Sequence, residues 1–83
     1  MSVVSGTDPL AVLSQRERQL LALMATGRSN AAICHELWLS PKTVESHVRS
    51  IFAKLDVGEI GAHRRVAAVL LYLKATEPGR RAA

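Results

Sequence analysis

The sequence has little of what a secreted or membrane-spanning protein needs. Its single cysteine, Cys34, cannot form an internal disulfide, which excludes a disulfide-stabilised secreted domain and fits a reducing compartment. The longest apolar run, residues 66–73, is far shorter than the roughly 20 residues that cross a bilayer. Residues 1–5 lack the basic start and the apolar stretch of a signal peptide. These absences predict a soluble, cytoplasmic domain with no membrane segment.

The chain is also short and basic. Its 83 residues form one small domain at most, and a chain of this size buries only about 60% of the surface that its unfolded form exposes, which disfavours a large substrate cleft. Eleven Lys and Arg against seven Asp and Glu give a formal charge of +4. Such a surplus favours a polyanionic partner, because cations that meet phosphates release condensed counterions. Mild basicity also serves solubility, so the positions of the charges have to decide.

Capping signals predict helices, and no alternating pattern indicates a strand. Ser14 and Glu17 have the spacing of a reciprocal capping box at the start of the first helix, and Gly27 supplies its left-handed end. The second helix begins at Ser29 or Asn30, both good N-caps, and is about two turns long.

The third helix has the clearest start. Ser40 is its cap and Pro41 takes the first helical position, where the missing N–H costs nothing. One buried stripe is predicted along it: Val44, Val48, Ile51 and Leu55. A break at residues 56–61 follows, and then a fourth helix from Ala62 or His63 to about Ala75.

These signals predict an all-α fold, a compact four-helix bundle that contains a helix-turn-helix. We expect the folded domain to span residues 13–75. Residues 1–12 are predicted to be a flexible linker that packs Leu10 or Leu13 on the first helix, and residues 76–83 a disordered tail.

The third helix turns short or polar side chains away from its stripe, namely Lys42, Ser46, Arg49 and Ala53, with Glu45 and Ser50 on the flanks. A short helix, a turn and a second helix with such a face are typical of a motif that enters the major groove. The Arg49 fork fits guanine, Glu45 accepts from cytosine, and Ser46 is permissive. Phosphates would be held at two helix starts, by Lys42 with Thr43 and by Ser29 with Asn30. Amphipathicity alone favours the alternative, a solvated polar face.

Four segments of the sequence favour DNA binding over a solvated polar face. Residues 13–18 (LSQRER), 27–33 (GRSNAAI), 40–48 (SPKTVESHV) and 51–55 (IFAKL) closely resemble the LuxR (GerE-type) helix-turn-helix domain. The resemblance covers roughly residues 13–73 in the right order. It implies a four-helix domain of a bacterial transcription regulator, as found at the C-terminus of NarL/FixJ-like response regulators. The third helix would then read DNA, and the last helix would form a dimer contact.

The family motif places base-reading positions on Glu45, Ser46 and Arg49. Positions that commonly touch the DNA backbone fall on Ser29, Asn30, Lys42 and Thr43. Lys54 would reach a phosphate or only complement the dipole of its helix, and both roles stay open. His47 also matches the motif, but its place at the edge of the buried stripe favours packing.

Three departures from the family pattern stand out. Asp56 occupies a position where many relatives carry Gly, and it would adopt a left-handed cap at some cost. Many relatives carry a base at the position of Glu45, so their base preference cannot be copied to this chain. The segment from residue 55 to residue 65 is longer than usual before the closing pattern of Arg65, Ala68 and Val69, and we expect the dimer geometry to shift accordingly.

The fourth helix is apolar around its whole circumference over residues 66–73. One face suffices for the core of a small domain, so the other face favours a symmetric copy of the chain. The candidate dimer residues are Val66, Ala67, Leu70 and Leu73. A helix buried at the centre of the monomer is the alternative. A dimer would place two recognition helices about one DNA turn apart and predicts a pseudo-palindromic operator.

An enzyme is not expected, and neither are a metal, a cofactor or a small-molecule ligand. The polar candidates Cys34, His35, Glu36, His47 and His63 lack the spacing of a metal or catalytic site. The expected partners are double-stranded DNA, a second copy of the chain and RNA polymerase. The alternative function is a helical interaction module that docks an acidic partner without specific DNA binding, and Glu45 is its best evidence. Trp38 would report docking by fluorescence, although we favour a hydrophobic plug before the recognition helix.

Overall fold

The computed structural model describes residues 8–58 and 63–76, which form four α-helices and a short 3-10 helix. The helices are α1 (Gln15–Ala25), α2 (Asn30–Leu37), α3 (Pro41–Leu55) and α4 (His63–Thr76), and the 3-10 helix is Pro9–Val12. Strands are absent from the described residues, so the predicted all-α class is confirmed. Residues 1–7, 59–62 and 77–83 lie outside the described part, and with them most of the expected linker, loop and tail.

Serine caps begin the first three α-helices, as the sequence predicts. The hydroxyls of Ser14, Ser29 and Ser40 each accept a hydrogen bond from the backbone N–H three residues ahead, at 3.1, 3.1 and 3.2 Å. The capping box of α1 closes in both directions, because the Ser14 N–H also donates to Glu17 Oε1 at 2.8 Å. Pro41 occupies the first turn of α3.

The ends of these helices use left-handed backbone. Gly27 follows α1 with a φ of 92°, a region that glycine enters without steric cost. Asp56 ends α3 with a φ of 53°, which confirms the left-handed cap expected there. Trp38 ends α2 in the same region with a φ of 58°, an unusual conformation for a bulky residue.

The core lies where α1 packs against α3 and α4, while α2 packs against α3. In α3 the predicted stripe is buried at Val44, Val48 and Ile51 and half-buried at Leu55. Leu20, Leu21 and Met24 of α1 and Ile33 of α2 complete this core, together with Phe52, Ala68, Leu10 and Leu13. The side of α3 opposite the stripe is thereby fixed toward solvent.

The fourth helix buries one face only. Ala68 is fully buried, and Val69, Tyr72 and Ala75 pack against the core. Of the four residues predicted for a dimer contact, three are strongly exposed, with 57% for Val66, 55% for Leu70 and 47% for Leu73, and Ala67 is half-buried. A helix buried at the centre of the monomer is therefore excluded.

Three features differ from the sequence predictions. Trp38 is 93% exposed and is not a hydrophobic plug; it follows α2 in a left-handed turn, and Leu39 packs against the core instead. Ordered structure begins before residue 13, since the 3-10 helix buries Leu10. Ser50 does not flank the outer face of α3, because its hydroxyl donates to Glu17. In the described ranges, none of the helices combines the length and apolarity of a membrane span.

Candidate nucleic-acid interface

The outer face of α3 carries the predicted base-reading residues. Glu45, Ser46 and Arg49 are all exposed, as are Lys42 at the start of the helix and Ala53 farther along it. Only residues 38–40 separate α2 from α3, which gives the short turn of a helix-turn-helix. His47 is half-buried at the edge of the stripe, in keeping with packing. The structure thus brings the polar groups onto one solvent-facing strip of a rigid helix.

The predicted phosphate-binding residues lie at two helix starts. Ser29 caps α2 and is exposed, and Asn30 follows it at the first helical position and is half-buried. At the start of α3, Thr43 is half-buried and its Oγ1 accepts from the Ser40 hydroxyl at 3.0 Å. The start of α2 keeps the N–H groups of its first two residues for a ligand, because the Ser29 hydroxyl takes only that of Ala32. The start of α3 keeps only the N–H of Lys42, because Pro41 has none and Ser40 takes that of Thr43. Both places lie at the positive end of a helix dipole, and Lys42 adds its charge at α3, so both suit anionic oxygens.

An arginine of α4 fixes the start of α2. Arg65 Nη1 donates to Asn30 Oδ1 at 2.9 Å, and its Nη2 donates to the backbone carbonyl of Arg28 at 2.8 Å. These bonds orient the Asn30 side chain and leave its amide N–H groups as donors. The sequence alone identified Arg65 only through the closing pattern of the family. Its partners lie 35 and 37 residues away, so no local signal could have indicated them.

Behind α3, a buried carboxylate ties this helix to α1. Glu17 is only 5% exposed, and besides its cap it accepts from the Ser50 hydroxyl at 2.7 Å and from Lys54 Nζ at 2.9 Å. Burial alone would raise the pKa of Glu17, but the bonds from the Ser14 N–H, Ser50 and Lys54 outweigh it and lower the pKa from 4.5 to about 2. Glu17 is therefore a fixed anion that holds α3 in place.

The Lys54 ammonium is engaged by this carboxylate in the free protein. Its side chain is still 41% exposed, whereas that of Glu17 is 6% exposed. The Lys54 charge therefore neutralises the Glu17 carboxylate and does not only complement the dipole of α3. A phosphate contact by Lys54 would have to use the N–H groups that Glu17 does not take.

Sequence reasoning missed Arg64, which lies beside the recognition helix. Its guanidinium carbon stands 5.0 Å from the centre of the Phe52 ring, a cation–π distance. It lines a cavity of about 150 Å³ together with Asn30, Glu45, Val48, Arg49 and Phe52. Two consecutive arginines at the start of α4 were the available signal, but only the fold places one of them against α3.

Cations outnumber anions on this side of the described chain. Its three ion pairs join Arg18 to Asp8, Arg28 to Glu36 and Lys54 to Glu17. Lys42, Arg49 and Arg64 belong to none of them, and Glu45 is also unpaired among the residues described. The α3 strip therefore offers Lys42 and Arg49 together with the carboxylate of Glu45, and Arg64 of α4 adds a third cation beside it. Within the described ranges, no three His, Cys, Asp or Glu side chains cluster in a way that would hold a metal ion.

A family comparison agrees with this arrangement. The model described as "Bacterial regulatory proteins, luxR family" matches residues 11–71, which include the helix-turn-helix and most of α4. No solved structure gives a significant match to the chain.

Curated relatives match over the same region. The chain is 46% identical over 54 residues to the oxygen regulatory protein NreC of Staphylococcus haemolyticus, which covers 65% of this chain and 25% of that protein. It is 40% identical over 67 residues to a nitrate/nitrite response regulator protein homolog of Haemophilus influenzae, which covers 81% of this chain and 30% of that protein. The nitrate/nitrite response regulator protein NarP of Escherichia coli is also 40% identical over 67 residues. The chain thus spans less than a third of the length of these relatives.

Proposed function

Because this chain belongs to the LuxR family of bacterial regulatory proteins, we propose that it binds a pseudo-palindromic DNA operator as a homodimer with α3 in the major groove. The LuxR-type helix-turn-helix is a DNA-binding regulatory module and not an enzyme. The chain would act as the DNA-binding part of a transcription regulator, as its similarity to response regulators suggests.

The exposed strip of α3 is the observation that carries this proposal. Glu45, Ser46 and Arg49 project from a helix whose opposite face is locked into the core, so their positions are set before DNA arrives. Arg49 has no carboxylate partner among the described residues and keeps its planar fork for guanine O6 and N7. Glu45 would accept from cytosine N4 and would oppose any docking that brings it close to a phosphate.

Phosphate contacts would set the register of α3 in the groove. The start of α2 offers the Ser29 hydroxyl and the Asn30 amide, and Asn30 is held by Arg65. The start of α3 offers Lys42 and Thr43. Lys54 would add a phosphate contact only through the N–H groups that its ammonium does not donate to Glu17.

The dimer proposal rests on the outer face of α4. Val66, Leu70 and Leu73 form an apolar strip that the monomer leaves open, with Ala67 beside it. Burial of such a strip against a second copy removes apolar surface from water and pairs two recognition helices. We further propose that the regulator works in the bacterial cytoplasm, at the nucleoid, and meets RNA polymerase there.

Selection of duplexes from a random DNA pool, followed by anisotropy titration of the selected and a scrambled duplex, tests the DNA proposal. We expect an enriched inverted repeat and a loss of about 5- to 150-fold for each subunit with Arg49→Ala, since a bidentate base contact contributes about 1–3 kcal/mol. Arg16→Ala is the matched control, because Arg16 is exposed on α1 and, among the described residues, its side chain bonds only to Gln19. Absence of enrichment, with equal binding to every duplex, would favour the interaction module that docks an acidic partner.

Sedimentation across protein concentration, with and without the selected duplex, tests the dimer. Leu70→Glu should abolish the dimer because it places a carboxylate in the apolar strip. Val12→Glu is the matched control, since Val12 is also 55% exposed but lies on the 3-10 helix. A monomer in the unmodified protein, even on DNA, would refute the homodimer.

A further inference from the structure

Arg64 occupies a fixed position beside the recognition helix. Its guanidinium stacks at 5.0 Å from the centre of the Phe52 ring, and Phe52 is itself only 8% exposed on α3. The Arg64 Nε atom is buried and has no hydrogen-bond partner among the described residues. A guanidinium that is held against an aromatic ring and has no carboxylate partner is pre-organised to bind an incoming anion.

Two adjacent cavities along the flank of α3 share this arginine. The first, of about 150 Å³, is lined by Arg64, Arg49, Glu45 and Asn30 among others. The second, of about 290 Å³, is lined by Arg64, Arg49, Phe52, Ala53, Asp56 and Gly58. Arg64 therefore connects the base-reading strip of α3 with the start of α2.

The first cavity brings together two cationic side chains that lack ion-pair partners. Arg49 and Arg64 both line it, and neither belongs to an ion pair of the described residues. Like charges that share a small cavity repel each other, and an anion placed between them relieves that repulsion. Glu45 lines the same cavity, so the net charge that its ionised groups contribute is still positive.

We propose that Arg64 is a further DNA-contacting residue, which binds a backbone phosphate beside α3 near the start of α2. A phosphate suits it better than a base, because Arg64 comes from α4 and is half-buried on the flank of α3, whereas the base-reading residues project from the exposed strip. The planar fork of an arginine matches two phosphate oxygens. This inference rests on the proposed DNA binding and adds α4 to the DNA-contacting elements.

The test is the salt dependence of DNA binding by the whole chain. Anisotropy titrations at several salt concentrations give the slope of log K against log salt for the selected and the scrambled duplex. In Arg64→Gln the slope should become shallower by about 0.9 for each subunit, the value for one lost phosphate contact. Affinity should fall by the same factor on both duplexes, because a phosphate contact carries no sequence information.

Three variants separate the charge from the packing. Arg64→Met keeps an apolar stem over Phe52 and should make the slope shallower by the same amount as Arg64→Gln does. Arg64→Lys keeps the charge that releases counterions, so it should retain most of the slope although it loses the planar fork and part of the affinity. Lys74→Gln is the matched control, since Lys74 is an exposed cation on the same helix. It lies about 15 Å along the helix from Arg64, which is more than the Debye length of about 10 Å at 0.1 M salt. Circular dichroism establishes that each variant is folded.

The outcomes are distinct. An unchanged slope in Arg64→Gln and Arg64→Met overturns the inference, and so does an equal loss in Arg64→Lys or in Lys74→Gln. A loss confined to the selected duplex would make Arg64 a base reader and overturn the phosphate assignment. Failure of the unmodified protein to bind any duplex would refute the proposed DNA binding itself, and the inference with it.

Discussion

Replacement of the buried carboxylate of Glu17 should weaken the domain strongly. In Glu17→Gln the charge is lost, and the side-chain NH2 group, itself a donor, replaces one of two acceptor oxygens. These are Oε1, which accepts from the Ser14 N–H and from Lys54, and Oε2, which accepts from the Ser50 hydroxyl. The fall of the Glu17 pKa from 4.5 to about 2 corresponds to about 3 kcal/mol, at about 1.4 kcal/mol per pH unit. Because glutamine keeps one acceptor, we expect a loss of about 2–3 kcal/mol at pH 7.

The same bonds give the effect a defined pH dependence. Since the pKa of Glu17 is lower in the folded chain than in the unfolded chain, its contribution to the free energy of unfolding is complete above about pH 5. That contribution is lost as the pH falls from 4.5 toward 2. The stability difference between the unmodified protein and Glu17→Gln should therefore be flat near neutral pH and shrink steadily in acid.

Urea unfolding and thermal unfolding, both followed by circular dichroism, measure the effect at pH 7 and pH 3. The melting temperature should fall by about 10–20 °C, given about 4–8 °C per kcal/mol for a domain of this size. Glu36→Gln is the control, since Glu36 pairs with Arg28 at 3.2 Å with both side chains more than 40% exposed, and its loss should cost less than about 0.5 kcal/mol. Equal effects of the two substitutions, or a Glu17→Gln difference that is the same at both pH values, would refute this reasoning.

Three further substitutions test other parts of the structure. Trp38→Gly should raise the free energy of unfolding by about 0.5–1 kcal/mol in urea unfolding, because a left-handed φ strains an L side chain that is 93% exposed; a loss would mean that the indole makes stabilising contacts. Ser40→Ala should cost about 1 kcal/mol through the lost cap of α3, while Ser46→Ala on the exposed face should cost little by the same measurement. Glu45→Gln should strengthen anisotropy-measured binding to a scrambled duplex, since it removes a carboxylate that phosphates repel, and weaker binding to every duplex would contradict this.

Features that depend on neighbouring residues were predictable from the sequence. The capping box of Ser14 with Glu17 and the start of α3 at Ser40 and Pro41 both involve residues within one helical turn. The buried stripe of α3 was predictable because helical periodicity decides which side chains share a face. The left-handed end at Asp56 was expected from the family resemblance, since many relatives carry Gly at that position.

Features that depend on distant pairing were not predictable. Glu17 looks like an ordinary cap in the sequence, because its bonds to Ser50 and Lys54 span 33 and 37 residues. The inward face of α4 also had no local signal, since apolar residues surround that helix and only packing against α1, α3 and the 3-10 helix selects Ala68. Trp38 was misjudged for a related reason: hydrophobicity suggested burial, but the left-handed turn gives the core contact to Leu39.

The bonds of Arg65 to Asn30 and to the carbonyl of Arg28 have a consequence for how the domain opens. They join the first turn of α4 to the first turn of α2, so α4 cannot detach without freeing the groups that orient the start of α2. Amide hydrogens in the second turn of α2 should then exchange with solvent at a rate that follows detachment of α4 rather than local fraying. We therefore expect the two helices to open as one cooperative unit, although the chain between them contains the whole of α3.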